Sequence, residues 1–253
     1  MGQDVNGGVF SVDSDSSATF ENAMVFEYNS VISPYHGGAV YADGKVDFEY
    51  AATFTGNSVL REEDDNRGGG GGLAVGAEGN VMFHDFAYFT SNEIRGGGRG
   101  GGMENLGEAS FSRASYFMTN VVSENGDGVG GEGGAIYTGE GSMTTFLRRT
   151  VHRDNGSSNG GGALWNEGTT MLMSSGFLNG NEALGNDAAD GGHIWTSGAV
   201  TVGGFVNLRD GRARRDGGAV YIATGGSLDV TGEVTLEDNT AGDSCNDVFP
   251  CTA

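Results

Sequence analysis

Hydrophobic and polar positions along this chain repeat in units of 26 to 34 residues. Each unit opens with a glycine pair and a short apolar stretch, as in GGAIY at 133–137. An Asn follows the first glycine by about 19 to 22 residues and stands three positions after a large apolar residue, as in Phe117 and Asn120. Between these two signals lies a short alternating run such as Ala109 and Phe111. The pattern therefore predicts three short strands in each unit.

The repeat predicts a solenoid, because one unit of this size cannot bury its apolar face without neighbours on both sides. Alternation of two, glycine punctuation and only two prolines favour strands over helices. We expect an all-β, three-sided parallel β-helix of about eight coils that spans residues 1–253 as a single domain. Stacked coils lie about 4.8 Å apart, which predicts a rod of roughly 38 Å. The coils are expected to begin near residues 7, 37, 71, 101, 133, 161, 191 and 217.

Two columns of the repeat are expected to face inward as ladders. Three residues after the first glycine, the sequence predicts an aliphatic column in which Glu104 is the misfit: Phe10, Val40, Ala74, Glu104, Ile136, Leu164, Ile194 and Val220. An amide repeated at one corner can bond to its copies above and below, and Asn tolerates left-handed backbone. The expected Asn ladder is Asn29, Asn57, Asn92, Asn120, Asn155, Asn181 and Asn239. In the seventh coil, Asn207 and Asp210 take the places of the apolar residue and the Asn.

An aromatic stripe follows each glycine pair by alternation and should lie on the outer face: Tyr41, Tyr137, Trp165, Trp195 and Tyr221. Stacked aromatic rings stabilise neighbouring strands. The same stripe would also form a flat platform for sugar rings or for a neighbouring rod. Both interpretations predict the same residues.

The motif GGA followed by Ile, Leu or Val, alternating with Phe-x-x-Asn, resembles the repeat pair of the polymorphic outer membrane proteins of chlamydiae. The resemblance covers residues 7 to about 249. It implies a right-handed β-helix that acts as a surface-exposed, adhesin-like passenger domain without enzymatic activity. The chain departs from the family in its longer, more glycine-rich repeats.

Charge narrows the set of partners. The net charge is −21, with 34 acidic and 13 basic residues, so we expect no binding to nucleic acid or to anionic membranes. The sequence has no apolar run of 18 residues, so we expect no transmembrane segment. We also expect no signal peptide at the start. The stretch Asp13-Ser14-Asp15-Ser16 could offer oxygen ligands to Ca²⁺, but a solvated loop is the alternative, and no other cofactor is expected.

The only basic cluster contains Arg209, Arg212, Arg214 and Arg215. It could pair with carboxylates of another copy, serve as a site for furin-like processing proteases, or form an exposed corner. Insertions are confined to the step between each Asn and the next glycine pair, and these loops are candidates for partner contact. The alternative is that this edge merely tolerates length.

The two cysteines, Cys245 and Cys251, lie in the C-terminal tail at 240–253. We expect a disulfide that closes a small loop, which favours an oxidising, extracellular or cell-surface setting.

The sequence contains no Gly-x-Ser-x-Gly, P-loop or His-Glu-x-x-His motif. We therefore expect a non-enzymatic extracellular structural protein whose copies stack head to tail into a fibre. An adhesin-like domain that binds a glycan or receptor is the alternative, and a polysaccharide-active β-helix enzyme is a weaker one.

Overall fold

The computed structural model describes residues 7–32, 36–60, 68–124, 130–185, 189–243 and 245–250. Within these ranges the chain forms strands and no helix, and parallel sheets stack into a β-solenoid of about eight turns. The predicted all-β solenoid is confirmed. None of the described residues belongs to a helix long and apolar enough to cross a membrane.

The strands, numbered in chain order, fall into four parallel sheets. Sheet A contains β1 (Phe10–Val12), β5 (Val40–Ala42), β9 (Leu73–Val75), β13 (Met103–Asn105), β17 (Ile136–Thr138), β21 (Leu164–Asn166), β25 (Ile194–Thr196), β29 (Val220–Ile222) and β33 (Val248–Phe249). Sheet B contains β2 (Ser17–Phe20), β6 (Lys45–Phe48), β10 (Asn80–Phe83), β14 (Glu108–Phe111), β18 (Met143–Phe146), β22 (Thr169–Leu172), β26 (Ala199–Val202) and β30 (Ser227–Val230). Sheet C contains β3 (Met24–Glu27), β7 (Ala52–Thr55), β11 (Ala87–Thr90), β15 (Ser115–Met118), β19 (Thr150–Arg153), β23 (Gly176–Asn179), β27 (Phe205–Arg209) and β31 (Glu233–Glu237). Sheet D contains β4 (Ser30–Ile32), β8 (Ser58–Leu60), β12 (Glu93–Arg95), β16 (Val121–Val122), β20 (Gly156–Ser157), β24 (Glu182–Ala183), β28 (Arg212–Ala213) and β32 (Thr240–Ala241).

The sequence pattern predicted three strands per coil and missed the fourth, which belongs to sheet D. It directly follows the Asn corner, and from β16 onward each of its strands has two residues. A strand of two or three residues places only one side chain inside. Val59, Ile94 and Val122 are such residues, and they form a small cluster of their own. One buried residue per coil is too few to produce a visible alternation.

The register of sheet A corrects the expected inward column in two coils. Val40 pairs with Leu73, Leu73 with Met103 and Met103 with Ile136, so Ala74 and Glu104 were wrongly placed inside. Coils three and four begin at Gly70 and Gly100, each with φ of 68°, one residue before the expected starts. Both pairs lie within longer glycine runs, at 68–72 and 100–102, where the sequence alone does not distinguish the two alignments.

The glycine pair is required by close backbone approach. At Gly37, φ is 73° and a Cβ would lie 2.0 Å from the carbonyl oxygen of Val40. At Gly38, a Cβ would lie 2.0 Å from the carbonyl oxygen of Gly71 in the next coil. The first glycine thus supplies the left-handed backbone and the second allows consecutive coils to touch.

Stacked phenylalanines fill the inner face of sheet B in the first five coils and of sheet C in the first four. In sheet B, the rings of Phe48, Phe83 and Phe111 stack face to face with centroids 4.7 to 4.9 Å apart. In sheet C, Phe54 and Phe89 stack in the same way at 4.6 Å, and the two stacks meet edge to face, as Phe83 and Phe89 do at 6.0 Å. Each buried ring contributes roughly 1.5–3 kcal/mol of burial free energy, so this double stack is the main apolar core.

The predicted Asn ladder is confirmed as a buried feature of the corner between sheets C and D. The Nδ2 of Asn57 donates to Asn92 Oδ1 at 3.0 Å and to the carbonyl oxygen of Phe26 at 2.9 Å. The backbone N of Asn57 also donates to Asn92 Oδ1, at 3.0 Å. Each amide therefore ties its own coil to the coils on both sides.

We expected the ladder residues themselves to adopt the left-handed backbone at this corner. Instead, the residue before each of them has the positive φ. Thr119, for example, has φ of 54°, directly before Asn120. The complete set of corner residues with positive φ is Tyr28, Gly56, Ser91, Thr119, Asp154, Gly180, Asp210 and Asp238. The Asn is consequently free to aim its amide along the axis of the solenoid.

Candidate functional site

The outer face of sheet A carries the aromatic stripe, which is the strongest candidate site that the sequence offers. Its predicted members lie in one register column, in the order Tyr41, Ala74, Glu104, Tyr137, Trp165, Trp195, Tyr221 and Phe249. Phe249 extends the stripe into β33 and was not predicted. Ala74 and Glu104 separate Tyr41 from the continuous run that begins at Tyr137.

Part of the stripe is covered although it points outward. A row of parallel backbone bridges, Gly69 to Arg99 to Glu132 to Gly160 to Asp190, runs beside it. A Cβ at Gly160 would lie 2.9 Å from Trp165 Cζ3, so the indole rests on the bare backbone there. Tyr137 is 1% exposed and Trp165 is 7% exposed. These two rings are packed against the adjoining turn and do not form an open platform.

A polar cluster that the sequence did not reveal holds these rings. Glu167 accepts hydrogen bonds from the Tyr137 hydroxyl at 2.5 Å and from Trp165 Nε1 at 3.1 Å. The Arg99 guanidinium lies 4.7 Å from the centre of the Tyr137 ring, and its Nε donates to Glu132 at 3.1 Å. Arg99, Glu132, Tyr137 and Glu167 lie in four consecutive coils, and within the cluster only Trp165 and Glu167 are close in sequence.

Burial dominates the electrostatics of this cluster. It raises the pKa of the Glu132 carboxyl above its ordinary value, although Arg99 opposes this. Burial, followed by the hydrogen bond to Glu167, raises the pKa of the Tyr137 hydroxyl. The phenol therefore stays protonated and donates to Glu167. Because these groups bind one another, the arrangement fixes the stripe in place.

Glu104, the misfit of the sequence pattern, points outward and is 2% exposed. His36 Nδ1 lies 2.7 Å from Glu104 Oε2. A Cβ at Gly69 would lie 2.2 Å from the carboxylate carbon of Glu104, so this glycine leaves the space that the side chain fills. The carboxylate is thus accommodated by a glycine and a histidine from neighbouring coils.

The basic cluster is paired within its own chain. Arg209 lies within 4 Å of Asp210, Glu237 and Asp238. Arg212 pairs with Glu182 at 3.2 Å, and the Nε of Arg215 donates to Asp190 at 2.8 Å. Arg214 Nη1 approaches the carbonyl oxygen of Gly185 at 3.4 Å. The interface role of these arginines stays a prediction, and three of them already have carboxylate partners from the same chain.

Three further predicted features are only partly described. Cys251 lies outside the described residues, so its disulfide with Cys245 stays a prediction. The insertion loop at 61–67, one of the candidates for partner contact, also lies outside the described residues. Asp13 and Asp15 are exposed, and Ser16 N closes a turn onto the Asp13 carbonyl oxygen at 2.9 Å. Among the described residues, no group of three or more His, Cys, Asp or Glu side chains is arranged to hold a metal ion.

The seventh coil breaks the Asn ladder, and the sequence placed this rung wrongly at Asp210. Glu182 pairs with Arg212, so the residue opposite Asn181 is Gly211. The His193 ring fills the vacant position: its Nδ1 lies 2.9 Å from Asn181 Nδ2. A Cβ at Gly211 would lie 2.6 Å from His193 Nε2.

Two changes in one coil therefore compensate for each other. The other coils have a smaller residue where His193 stands: Val9, Ala39, Gly72, Gly102, Ala135, Ala163 and Ala219. The signal was present in the sequence, since GGHI replaces GGA in the same coil that lacks an Asn.

A second buried histidine lies close to the first. His152 continues the phenylalanine stack of sheet C, with its ring 5.0 Å from Phe117. Thr150 Oγ1 lies 3.0 Å from His152 Nε2. Burial lowers the pKa of His152 to about 3, with a smaller contribution from His193. Burial lowers the pKa of His193 to about 4.

The compensation at the seventh coil predicts strong coupling between two substitutions. His193→Ala removes the ring nitrogen beside Asn181 Nδ2, which keeps only its bond to the His152 carbonyl oxygen. Gly211→Asn alone forces a side chain into the His193 ring. Each single variant should lose about 2–4 kcal/mol of unfolding free energy. The double variant, which restores the pattern of the other coils, should recover most of that loss. Denaturant unfolding of all four proteins checks this, and additive losses would contradict the assigned compensation.

The buried histidines predict acid sensitivity. Both are neutral in the fold, whereas an unfolded histidine binds a proton near pH 6.5. Stability should therefore be complete above about pH 6.5 and fall as the pH drops towards 4, by up to about 1.4 kcal/mol per pH unit for each histidine. Unfolding free energies between pH 7 and pH 5 measure this slope. His152→Leu should reduce the slope by about half; a slope equal to that of the unmodified protein would contradict the assignment.

Comparison of the chain with protein-family models, with curated proteins and with solved structures gives no match in any of the three. The resemblance to the chlamydial repeat family accordingly depends on the GGA and Phe-x-x-Asn motifs alone.

Proposed function

We propose that this chain is a non-enzymatic structural protein of the cell surface or extracellular space, related to the chlamydial repeat family. Its copies stack end to end into a fibre. The observation that supports this proposal is the pair of open ends of the described solenoid, where strand edges and core residues face outward together.

Among the described residues, the first coil has an unpaired edge in each of the four sheets. Each of β1, β2, β3 and β4 has a neighbour on one side only. Phe10, Phe20 and Met24 are only partly buried, whereas the residues below them, Val40, Phe48 and Ala52, are nearly inaccessible. Unpaired parallel edges with apolar side chains favour pairing with another chain.

The Asn ladder is also open at this end. Asn29 donates from its backbone N and its Nδ2 to Asn57 Oδ1, at 3.0 and 2.8 Å. Among the described residues, none donates to the Oδ1 of Asn29. The next rung of a preceding coil would donate to this oxygen, as Asn57 donates to Asn92.

Within the described ranges, the opposite end is open in three sheets and partly closed in the fourth, where β33 pairs with β29. The strands β30, β31 and β32 are edges, and Leu228, Val234 and Leu236 are partly buried. Asn239 Nδ2 donates to Asp247 Oδ1 at 3.1 Å, so Asp247 takes the place of a further rung. A copy that stacks here would join sheets B, C and D and would fit around, or displace, residues 245–250. Because the two ends differ, the contact is head to tail and builds an open filament.

An adhesin-like role in binding a glycan or receptor is the second candidate, and the lower half of the aromatic stripe favours it. Trp195, Tyr221 and Phe249 are each partly exposed. The Trp195 and Tyr221 rings are nearly parallel with centroids 6.4 Å apart, and the Tyr221 and Phe249 rings stack at 4.8 Å. Partly exposed aromatic faces in a row suit contact with sugar rings. A polysaccharide-active enzyme has less support, since Arg99, Glu132 and Glu167 already bind one another or the stripe.

Electron microscopy of the purified protein at physiological salt and without reducing agent tests the fibre. We expect single-file rods with an axial repeat near 40 Å, from about eight coils of roughly 4.8 Å. Phe20→Lys should abolish or shorten the rods, because a joint would bury its ammonium group. Thr19→Lys, on the outer face of the same strand, should leave them intact. Isolated short particles of the unmodified protein would contradict the proposal.

A further inference from the structure

One corner of the solenoid concentrates arginines that form no ion pair with any described residue. This corner joins sheet B to sheet C, and Arg113, Arg148 and Arg149 are exposed there. Within the described ranges none of the three forms an ion pair, whereas arginines elsewhere pair with a neighbouring carboxylate, as Arg95 does with Glu93 and Arg99 with Glu132. Three unpaired guanidinium groups close together are unusual in a chain with a net charge of −21.

Exposed apolar side chains surround these arginines. Phe86, Leu147 and Phe177 are exposed, and the Arg149 guanidinium lies 5.0 Å from the centre of the Phe177 ring. Tyr88 and Tyr116 stack beside them at 5.0 Å. We call residues 84–86, 112–114 and 147–149 the Arg corner; it contains one carboxylate, Asp85, one coil before Arg113. Arginine mixed with aromatic and aliphatic residues is the composition that protein interfaces favour.

The opposite edge of sheet B has the complementary charge. Here the turns at 76–79 and 139–142 each have four residues, while the turn between them, at 106–107, has two. The shorter turn leaves a groove of about 360 Å³ lined by Glu78, Asn80 and Glu108, with Gly141 on its other wall. We call this edge, together with Glu140, the Glu corner.

The Glu corner also lacks partners of opposite charge. Glu78, Glu108 and Glu140 are exposed, and none of them forms an ion pair within the part of the chain that the structure describes. Glu108 accepts a hydrogen bond from Asn80 Nδ2 at 2.9 Å, which fixes one wall of the groove. The groove is lined by two carboxylates and is open to solvent, as a guanidinium group would require.

The two corners lie at matching levels of the solenoid. Phe83, Phe111 and Phe146, at the ends of β10, β14 and β18, are in register in coils three, four and five. Arg113, Arg148 and Arg149 follow these strands in coils four and five, and Glu78, Glu108 and Glu140 belong to coils three, four and five. Two rods that lie side by side in the same orientation therefore bring one Arg corner level with one Glu corner.

We propose that the Arg corner docks against the Glu corner of a second copy, so that rods associate laterally, parallel and in register. Arg113 of one copy, in coil four, enters the groove beside Glu78 and Glu108 of the next, and Arg148 lies level with Glu140 in coil five. Long-range repulsion between acidic copies is screened beyond about 8 Å at physiological salt, whereas pairs in contact act locally. The lateral contact uses neither end of the solenoid and is independent of end-to-end stacking.

Reciprocal charge reversal tests this contact by sedimentation velocity at physiological salt. The unmodified protein should show lateral self-association that depends on concentration. Arg113→Glu/Arg148→Glu should weaken it by about tenfold or more, and Glu108→Lys/Glu140→Lys, at the same two levels, should do the same. A mixture of the two variants should associate again, because each supplies the charge that the other has lost. The control Arg95→Glu/Arg153→Glu has the same change in net charge as the first variant, lies outside both corners, and should associate like the unmodified protein.

Electron microscopy of the same samples separates this proposal from the fibre. Paired rods in the unmodified protein and in the mixture, but not in either charge-reversed variant alone, support lateral docking whether or not the rods elongate. Single-file rods without lateral contacts in every sample would overturn lateral docking and leave end-to-end stacking intact. Binding of a sulfated glycan to the Arg corner without self-association would also overturn it.

Discussion

A buried primary amide at the corner between sheets C and D is the interaction on which the stacking of this solenoid depends. Each amide donates to the coil before it and to the coil after it, as Asn57 does to Phe26 and Asn92. A buried donor or acceptor without a partner costs about 1–3 kcal/mol, so a coil that slips by one residue loses several bonds at once. The amide column therefore fixes the register, and the phenylalanine stacks supply the apolar burial around it.

This constraint explains where the chain tolerates variation. The turn between sheets C and D has two residues and the turn between sheets B and C has two or three, while the step from sheet D to the next glycine pair varies widely. A change of length at the Asn corner would move the amide out of its column. At the glycine pair, the positive φ of the first glycine directs the chain into the next strand of sheet A, for every length of the preceding loop. The larger insertions are accordingly confined to the step from sheet D to the next glycine pair, while the turn between sheets A and B has either two or four residues.

The sequence predicted the features in which the same residue type recurs at one position of almost every coil. It missed the contacts between coils that do not repeat. The GGA and Phe-x-x-Asn spacing was sufficient for the solenoid and the Asn ladder, because both repeat in almost every coil. The one-residue error at Ala74 and Glu104 arose within glycine runs, where the motif has no unique alignment. The cluster of Arg99, Tyr137 and Glu167 could not be predicted, since its members are about 30 or more residues apart and follow no repeated pattern. The substitution of His193 for an Asn rung was visible only as two exceptions in one coil.

The surface and the interior have different roles in the proposed assembly. The interior repeats in most coils, and the proposed growth along the axis would use the edge strands at the two ends of the described residues. The surface varies: an adjoining turn covers Tyr137 and Trp165 on sheet A, while the two edges of sheet B carry charges of opposite sign that form no ion pair among the described residues. Growth along the axis and association across it would consequently use different parts of the chain, and either can be lost without the other.

The role of the amide column is tested most directly by the unfolding free energy of Asn120→Ala, compared with that of Asn207→Ala. Asn120 is fully buried and bonds to Asn92, Asn155 and the Phe89 carbonyl oxygen, whereas Asn207 lies on the outer face of sheet C. We expect Asn120→Ala to lose about 3–5 kcal/mol and Asn207→Ala to lose less than about 1 kcal/mol. Equal, small losses in both variants would contradict the claim that the amide column holds the coils in register.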